Sequence, residues 1–138
     1  MLIRTYNRQD QAEVISLWQQ CGLLRPWNDP EKDIERKLKS SPELFIVGVI
    51  DNRVRATAMA GYEGHRGWVN YLAVDPSLQN NGYGALLMQE VETRLSQLGC
   101  PKINVQIRTD NIAALEFYRR IGYGPDDVVS VSKRLVKD

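Results

Sequence analysis

The residues of this chain best suited to chemistry stand together at Gln79-Asn80-Asn81-Gly82-Tyr83-Gly84, between a strand-like run closed by Val74-Asp75-Pro76 and a helical segment starting near Ala85. Two glycines two positions apart allow a tight turn with its N–H groups facing inward. The helix behind them adds unpaired first-turn donors and the positive end of its dipole. Such a loop suits an anion, above all a phosphate or pyrophosphate. A dinucleotide fingerprint would need a small residue where this chain has Leu87, and a P-loop would need Gly-Lys-Ser/Thr where it has Gly84-Ala85-Leu86. A helix-entry turn with no ligand has the same glycine chemistry and is the plain alternative.

A second group follows on the next helix. Asn111 opens it, Tyr118 lies two turns on, and Ile121-Gly122-Tyr123 closes it. The two segments, in this order and at this spacing, resemble the two CoA-binding elements of the GNAT (Gcn5-related) N-acetyltransferase superfamily, whose pyrophosphate loop is written Gln/Arg-x-x-Gly-x-Gly/Ala. With the strand Trp68 to Val74, the resemblance covers about residues 44 to 135.

The resemblance implies acetyl-CoA as co-substrate, with no metal, and direct acetyl transfer to an amine. It places the pantetheine against the backbone of Leu72, Ala73 and Val74, in a gap where the central strand bulges and splays from its neighbour. The pyrophosphate falls on the N–H groups of Gln79, Asn80, Asn81, Gly82, Tyr83, Gly84 and Ala85, and Asn111 reaches the cofactor. Tyr118 is the implied general acid beside the CoA sulfur; the competing role for it is core packing, and for Asn111 a helix cap. A phenol near pKa 10 and a thiol near 8.5 make full proton donation modest, so a strong hydrogen bond to the leaving thiolate suffices.

An attacking amine must lose a proton. Where ribosomal-protein N-terminal acetyltransferases carry Glu, this chain has Gln106, which cannot act as a base. Glu63, His65 and a water held by Asn70 or Tyr71 remain as candidates. Asn80 and Asn81 replace the Arg or Lys common in the pyrophosphate loop, so either affinity is lower or Arg119 and Arg120 supply the charge. Leu24 to Leu38 corresponds to the acceptor-side connection of the family. Together with Gly61 to Gly67 it is similar to the bacterial YpeA-type acetyltransferases. Arg25 could bind an acceptor carboxylate while Trp27 and Asn28 wall the pocket, or the loop residues could simply pin the chain.

These groups need a scaffold. Asp10 and Glu13 suggest a capping box opening a helix whose Val14, Leu17, Trp18 and Cys21 recur at helical spacing, with Cys21 read as core. Asp29 and Pro30 cap a second helix to about Lys39, with only Ile34 and Leu38 apolar. Leu44–Ile50 and Val54–Ala60 form a hairpin through Asp51-Asn52-Arg53, and Trp68–Val74 follows. A helix from Gly82 to Leu98, a strand Ile103–Ile107, a helix Asn111–Ile121 and a last strand Val128–Leu135 complete an α+β pattern. The GNAT-like expectation is a mixed, mostly antiparallel sheet flanked by about four helices.

The 138 residues, 43% hydrophobic and 25% charged, suffice for one core, and a single domain over residues 1–138 is expected. A net charge of +1 with no basic run disfavours nucleic acid. Met1 leads straight into strand-like Leu2–Tyr6 and no apolar stretch could span a bilayer, which points to a cytoplasmic protein without membrane contact. Cys21 and Cys100 lack metal or disulfide spacing; a cysteine nucleophile would need a histidine partner, and His65 is the only one. The expected partner is a small-molecule amine, with a protein N terminus or lysine as alternative acceptor, a non-catalytic acyl-CoA sensor as the other function, and a homodimer left open.

Overall fold

Asp51 and Asn52 both adopt left-handed backbone, φ 53° and 61°, and so make the two-residue turn that joins β2 (Phe45–Ile50) to β3 (Arg53–Tyr62). This hairpin is the centre of a five-stranded sheet in the computed structural model, which describes residues 1–138. β1 (Leu2–Thr5) lies outside β2, and β4 (Gly67–Val74) and β5 (Ile103–Val105) follow β3, in the order β1-β2-β3-β4-β5. The first four strands pair antiparallel; β4 and β5 are parallel.

Two irregularities in β4 matter for function. Thr57 opposes Ala73 and Met59 opposes Asn70, so Tyr71 and Leu72 together face the single residue Ala58. That is a bulge, and Tyr71 takes φ 52° to make it. Further, β5 pairs with β4 only from Gly67 to Val69, leaving the rest of β4 without a neighbour on that edge. The expected bulged and splayed central strand is present.

Helices cover both faces. α1 (Gln11–Gln20) and α2 (Pro30–Leu38) bury Val14, Leu17, Trp18 and Ile34 against Phe45, Val47 and Met59. On the other face α3 (Tyr83–Gln97) buries Leu87, Met88, Val91 and Leu95 against Ala56, Ala58 and Ala60, and α4 (Ile112–Arg120) adds Tyr118. Alternate residues of β3 thus serve opposite cores, as period-two geometry requires. No helix is long and apolar enough to cross a membrane.

Three local expectations are corrected. Asp10 does not cap α1; it closes a capping box with Asn7 around a one-turn 3₁₀ helix, Arg8–Asp10, and takes both guanidinium nitrogens of Arg4 at 2.8 and 2.9 Å. Glu13 turns to the sheet and accepts the Val54 N–H at 2.9 Å. β5 stops at Val105, short of Ile107, where its partner strand diverges. Residues Val128–Leu135 form no strand. Side-chain anchors hold that segment, Lys102 to Asp126 at 2.8 Å, Gln106 to Ser130 at 2.5 Å and Arg134 to Asn28 at 3.1 Å, while Val128, Val129, Val131 and Leu135 stay exposed. Its β-branched composition has no ladder to join, and strand propensity acts only through such neighbours.

Candidate active site

The loop after β4 is built to keep its N–H groups free. Asp75 fastens the strand end: it takes Arg55 at 2.6 Å and the N–H and hydroxyl of Ser77 at 2.9 and 2.8 Å, and these bonds hold its carboxyl below the usual range. The loop's amide side chains then bind its carbonyls. Gln79 Nε2 donates to Val74 O at 3.1 Å, and Asn81 Nδ2 to Leu78 O and Gln79 O at 3.0 and 3.2 Å. No backbone N–H from Gln79 through Ala85 finds an acceptor in the protein, and α3 begins without a side-chain cap. An anion at this helix terminus would satisfy those donors.

The two glycines do different work. Gly82 sits at φ 83° with open space around it, so its requirement is conformational. Gly84 has ordinary backbone, but a Cβ there would lie 3.0 and 3.1 Å from the Phe117 ring. It lets α4 approach α3.

Above the loop a cleft of about 630 Å³ opens where β4 and β5 part. Its β4 wall is Leu72, Ala73 and Val74; Gln79, Asn80, Gly82, Tyr83, Gly84 and Ala85 form its floor, and Asn111, Phe117 and Tyr118 its α4 wall. Of the expected cofactor-binding residues only Asn81 falls outside, turned back onto the loop carbonyls. Asn111 caps α4, accepting from Ala114 N at 3.1 Å, while still lining the cleft. Arg120 reaches the cleft as well; Arg119 pairs with Glu116 at 2.7 Å instead. Tyr118 is 7% exposed, edge-packed against Phe117 and Tyr123, and its hydroxyl makes no hydrogen bond within the protein. Burial pushes its pKa above the ordinary phenol value. It is a protonated donor facing the cleft.

Cys21 is not plain core. It is half-buried on the cleft wall, its thiol 3.3 Å from Val74 O, and burial, with Asp75 nearby, pushes its pKa up. A neutral thiol so placed is a poor nucleophile.

The other expected residues lie elsewhere. Glu63 and His65 occupy the β3–β4 turn, at the end of β4 remote from Val74, and do not line the cleft. Glu63 Oε1 accepts the backbone N–H groups of His65 and Arg66. Tyr71 donates its hydroxyl to Asp33 at 2.6 Å and stacks on Trp18. Arg25, Trp27 and Asn28 stand on the α1–α2 connection outside the cleft. Trp27 carries the Arg108 guanidinium 5.3 Å above its ring, and Asn28 accepts from Arg134. Arg108 and Asp33 were not singled out from sequence, having no motif to mark them, and Cys21 was read there as core rather than as cleft wall.

The sheet thus parts beside an uncapped helix N-terminus, with a buried tyrosine opposite. Residues 11–123 match the acetyltransferase (GNAT) family, and the chain belongs to it. An acetyltransferase of Yersinia enterocolitica is 44% identical over 138 residues, covering 100% of this chain and 98% of that protein. The fold is also that of the aminoglycoside 6'-N-acetyltransferase AAC(6')-Ig from Acinetobacter haemolyticus, with TM-score 0.76 and 16% identity over 99% of this chain and 100% of that one. AAC(6')-Iy in complex with a CoA-linked bisubstrate analogue gives TM-score 0.79 and 18% identity, covering 96% and 97%.

Proposed function

We propose that this acetyltransferase moves the acetyl group of acetyl-CoA directly onto the primary amine of a small, carboxylate-bearing metabolite. The observation that carries the co-substrate is the row of unpaired N–H groups from Gln79 to Ala85 at the floor of the cleft. A pyrophosphate supplies the charge they lack, and Arg120 adds a cation at the rim. The free edge of β4 at Leu72–Val74 offers strand-like partners to an amide-containing arm, and its donors would stabilise negative charge developing on a thioester oxygen. Tyr118 would donate to the departing thiolate. With Glu63 and His65 outside the cleft, the amine proton leaves to water.

The acceptor class rests on charge. The structural neighbours named as aminoglycoside acetyltransferases act, by name, on small amines. Here, though, the acceptor-side connection presents Arg25, with Arg108 and Arg134 beside Trp27 and Asn28. The nearby acids are engaged, Asp33 with Tyr71 and Arg36, Asp138 with Arg36, and Asp29 as the α2 cap. That balance repels a polycation and favours an amino-acid-like acceptor. Thiol release measured across amino acids, their esters and aminoglycosides tests this. Turnover is expected with free amino acids and falls on esterification; preference for the polycations would refute the acceptor class.

A further inference from the structure

The bulge in β4 has a lock of its own. Trp18 Nε1 donates to Thr57 Oγ1 at 2.9 Å, and Thr57 Oγ1 donates to the Tyr71 carbonyl at 2.8 Å. The direction is forced, because an indole N–H only donates and a carbonyl only accepts, so the single hydroxyl proton goes to Tyr71 O. Both Trp18 and Thr57 are fully buried, at 0% exposure, and no water competes for these groups. Tyr71 stands at φ 52°, a region that a bulky residue occupies only when its surroundings hold it there. Its ring is clamped on Trp18, centroids 3.8 Å apart, and its hydroxyl is tied to Asp33 of α2.

The Tyr71 carbonyl shares a planar trans peptide with the Leu72 N–H, so the two point in opposite directions. Thr57 draws the carbonyl toward β3 and α1. The Leu72 N–H is thereby aimed away from them, toward the unpaired edge of β4 and the side on which α4 carries Tyr118. A flipped peptide would present a carbonyl to the cleft instead of a donor.

We propose that Thr57 is a positioning residue for acyl transfer: its hydroxyl fixes the Tyr71–Leu72 peptide so that the Leu72 N–H faces the thioester carbonyl. The inference rests on the reading that the cleft takes acetyl-CoA, and it assigns the orientation of the donor to a side chain on a different strand, behind the sheet. Thr57→Val removes the hydroxyl at nearly constant volume, Thr57→Ser restores it, and Trp18→Phe disturbs the same buried region while leaving the Thr57–Tyr71 bond in place.

The test uses the full chain and acetyl-CoA labelled at its carbonyl carbon. Wild type, Thr57→Ser and Trp18→Phe should show the bound carbonyl stretch at one low frequency in difference infrared spectra, and Thr57→Val should show it higher. Turnover by Thr57→Val should drop by roughly tenfold to a hundredfold, less than complete removal of such a donor, with the acetyl-CoA dissociation constant within about threefold. An unchanged carbonyl band in Thr57→Val, or equal losses in Thr57→Val and Trp18→Phe, overturns the assignment. Should Thr57→Val not fold, Thr57→Ala takes its place in the same measurements, and in wild type the Leu72 amide proton must shift more on titration with acetyl-CoA than with CoA; a wild-type carbonyl band in Thr57→Ala, or equal shifts in wild type, overturns the proposal. If wild type binds neither compound in calorimetry, the co-substrate reading fails first and carries this one with it.

Discussion

Tyr118 joins two properties that rarely coincide, near-complete burial and a hydroxyl without a partner. Burial raises its pKa above the ordinary phenol value near 10, so it keeps its proton through the neutral range and is suited to act as an acid rather than a base. Tyr118→Phe is therefore expected to lower turnover by roughly ten- to a thousandfold with little change in acetyl-CoA affinity. The wild-type rate should show no alkaline decline from this group below about pH 10. Steady-state kinetics across pH decide it, and a parallel loss of stability and binding with turnover per folded molecule intact would return Tyr118 to the core. Gly82 supplies the companion prediction for the loop. Its φ of 83° is intolerable to a β-branched residue although nothing crowds its Cβ position, so Gly82→Val should abolish acetyl-CoA binding, measured by calorimetry, in a chain that still folds. Gly82 was marked in the sequence by local glycine chemistry, whereas helix spacing gave Tyr118 only its face of the helix and the family resemblance implied its acid role. Thr57 was not, since its importance lies in a carbonyl fourteen positions away.

At the scale of elements, the α1–α2 connection is where recognition of the acceptor should reside. α2 rests on the body through Ile34 and the Asp33–Tyr71 bond, and Asp29 caps it through the N–H groups of Glu31 and Lys32 at 2.9 and 3.2 Å. Arg25, half-buried on the connection, has no side-chain partner among the protein's hydrogen bonds or ion pairs. If it meets an acceptor carboxylate, Arg25→Ala should raise KM at least about tenfold, a charge-assisted bond being worth about 1.5–3 kcal/mol. Esterifying the acceptor should then harm the wild type much more than the variant, and independent effects of the two changes would make Arg25 a loop residue. The caps of α2, the Asp51–Asn52 turn and the apolar stripes of α1 and α3 were readable, since each depends on neighbours in sequence. The end of β5 and the state of Val128–Leu135 were not. Whether a β-branched run becomes a strand depends on an available edge, and that is settled by β4 diverging, far away in the chain.

Across the whole molecule, the sheet is the one element common to both cores, and its central strand sends Ala56, Ala58 and Ala60 to one side and Val54 and Met59 to the other. Damage to either core must therefore reach the other through β3, and residues 1–138 should unfold as a single cooperative unit, which is how we read their domain organisation. Leu87→Ala on α3 and Leu17→Ala on α1 each remove a buried side chain and should destabilise by about 2–5 kcal/mol out of a total of about 5–15. Trp18 lies in the α1 core, whereas far-UV circular dichroism sees every helix and strand. In urea, the fluorescence and dichroism curves of each variant should coincide, both shifted to lower midpoint with an unchanged slope. A Leu87→Ala chain whose dichroism moves while its fluorescence stays at the wild-type midpoint would show the α3–α4 face unfolding by itself. The cleft would then lie between two independently stable layers, and the Thr57 lock, which reaches from the α1 face through β3 to a donor aimed at α4, would have no rigid body to act through.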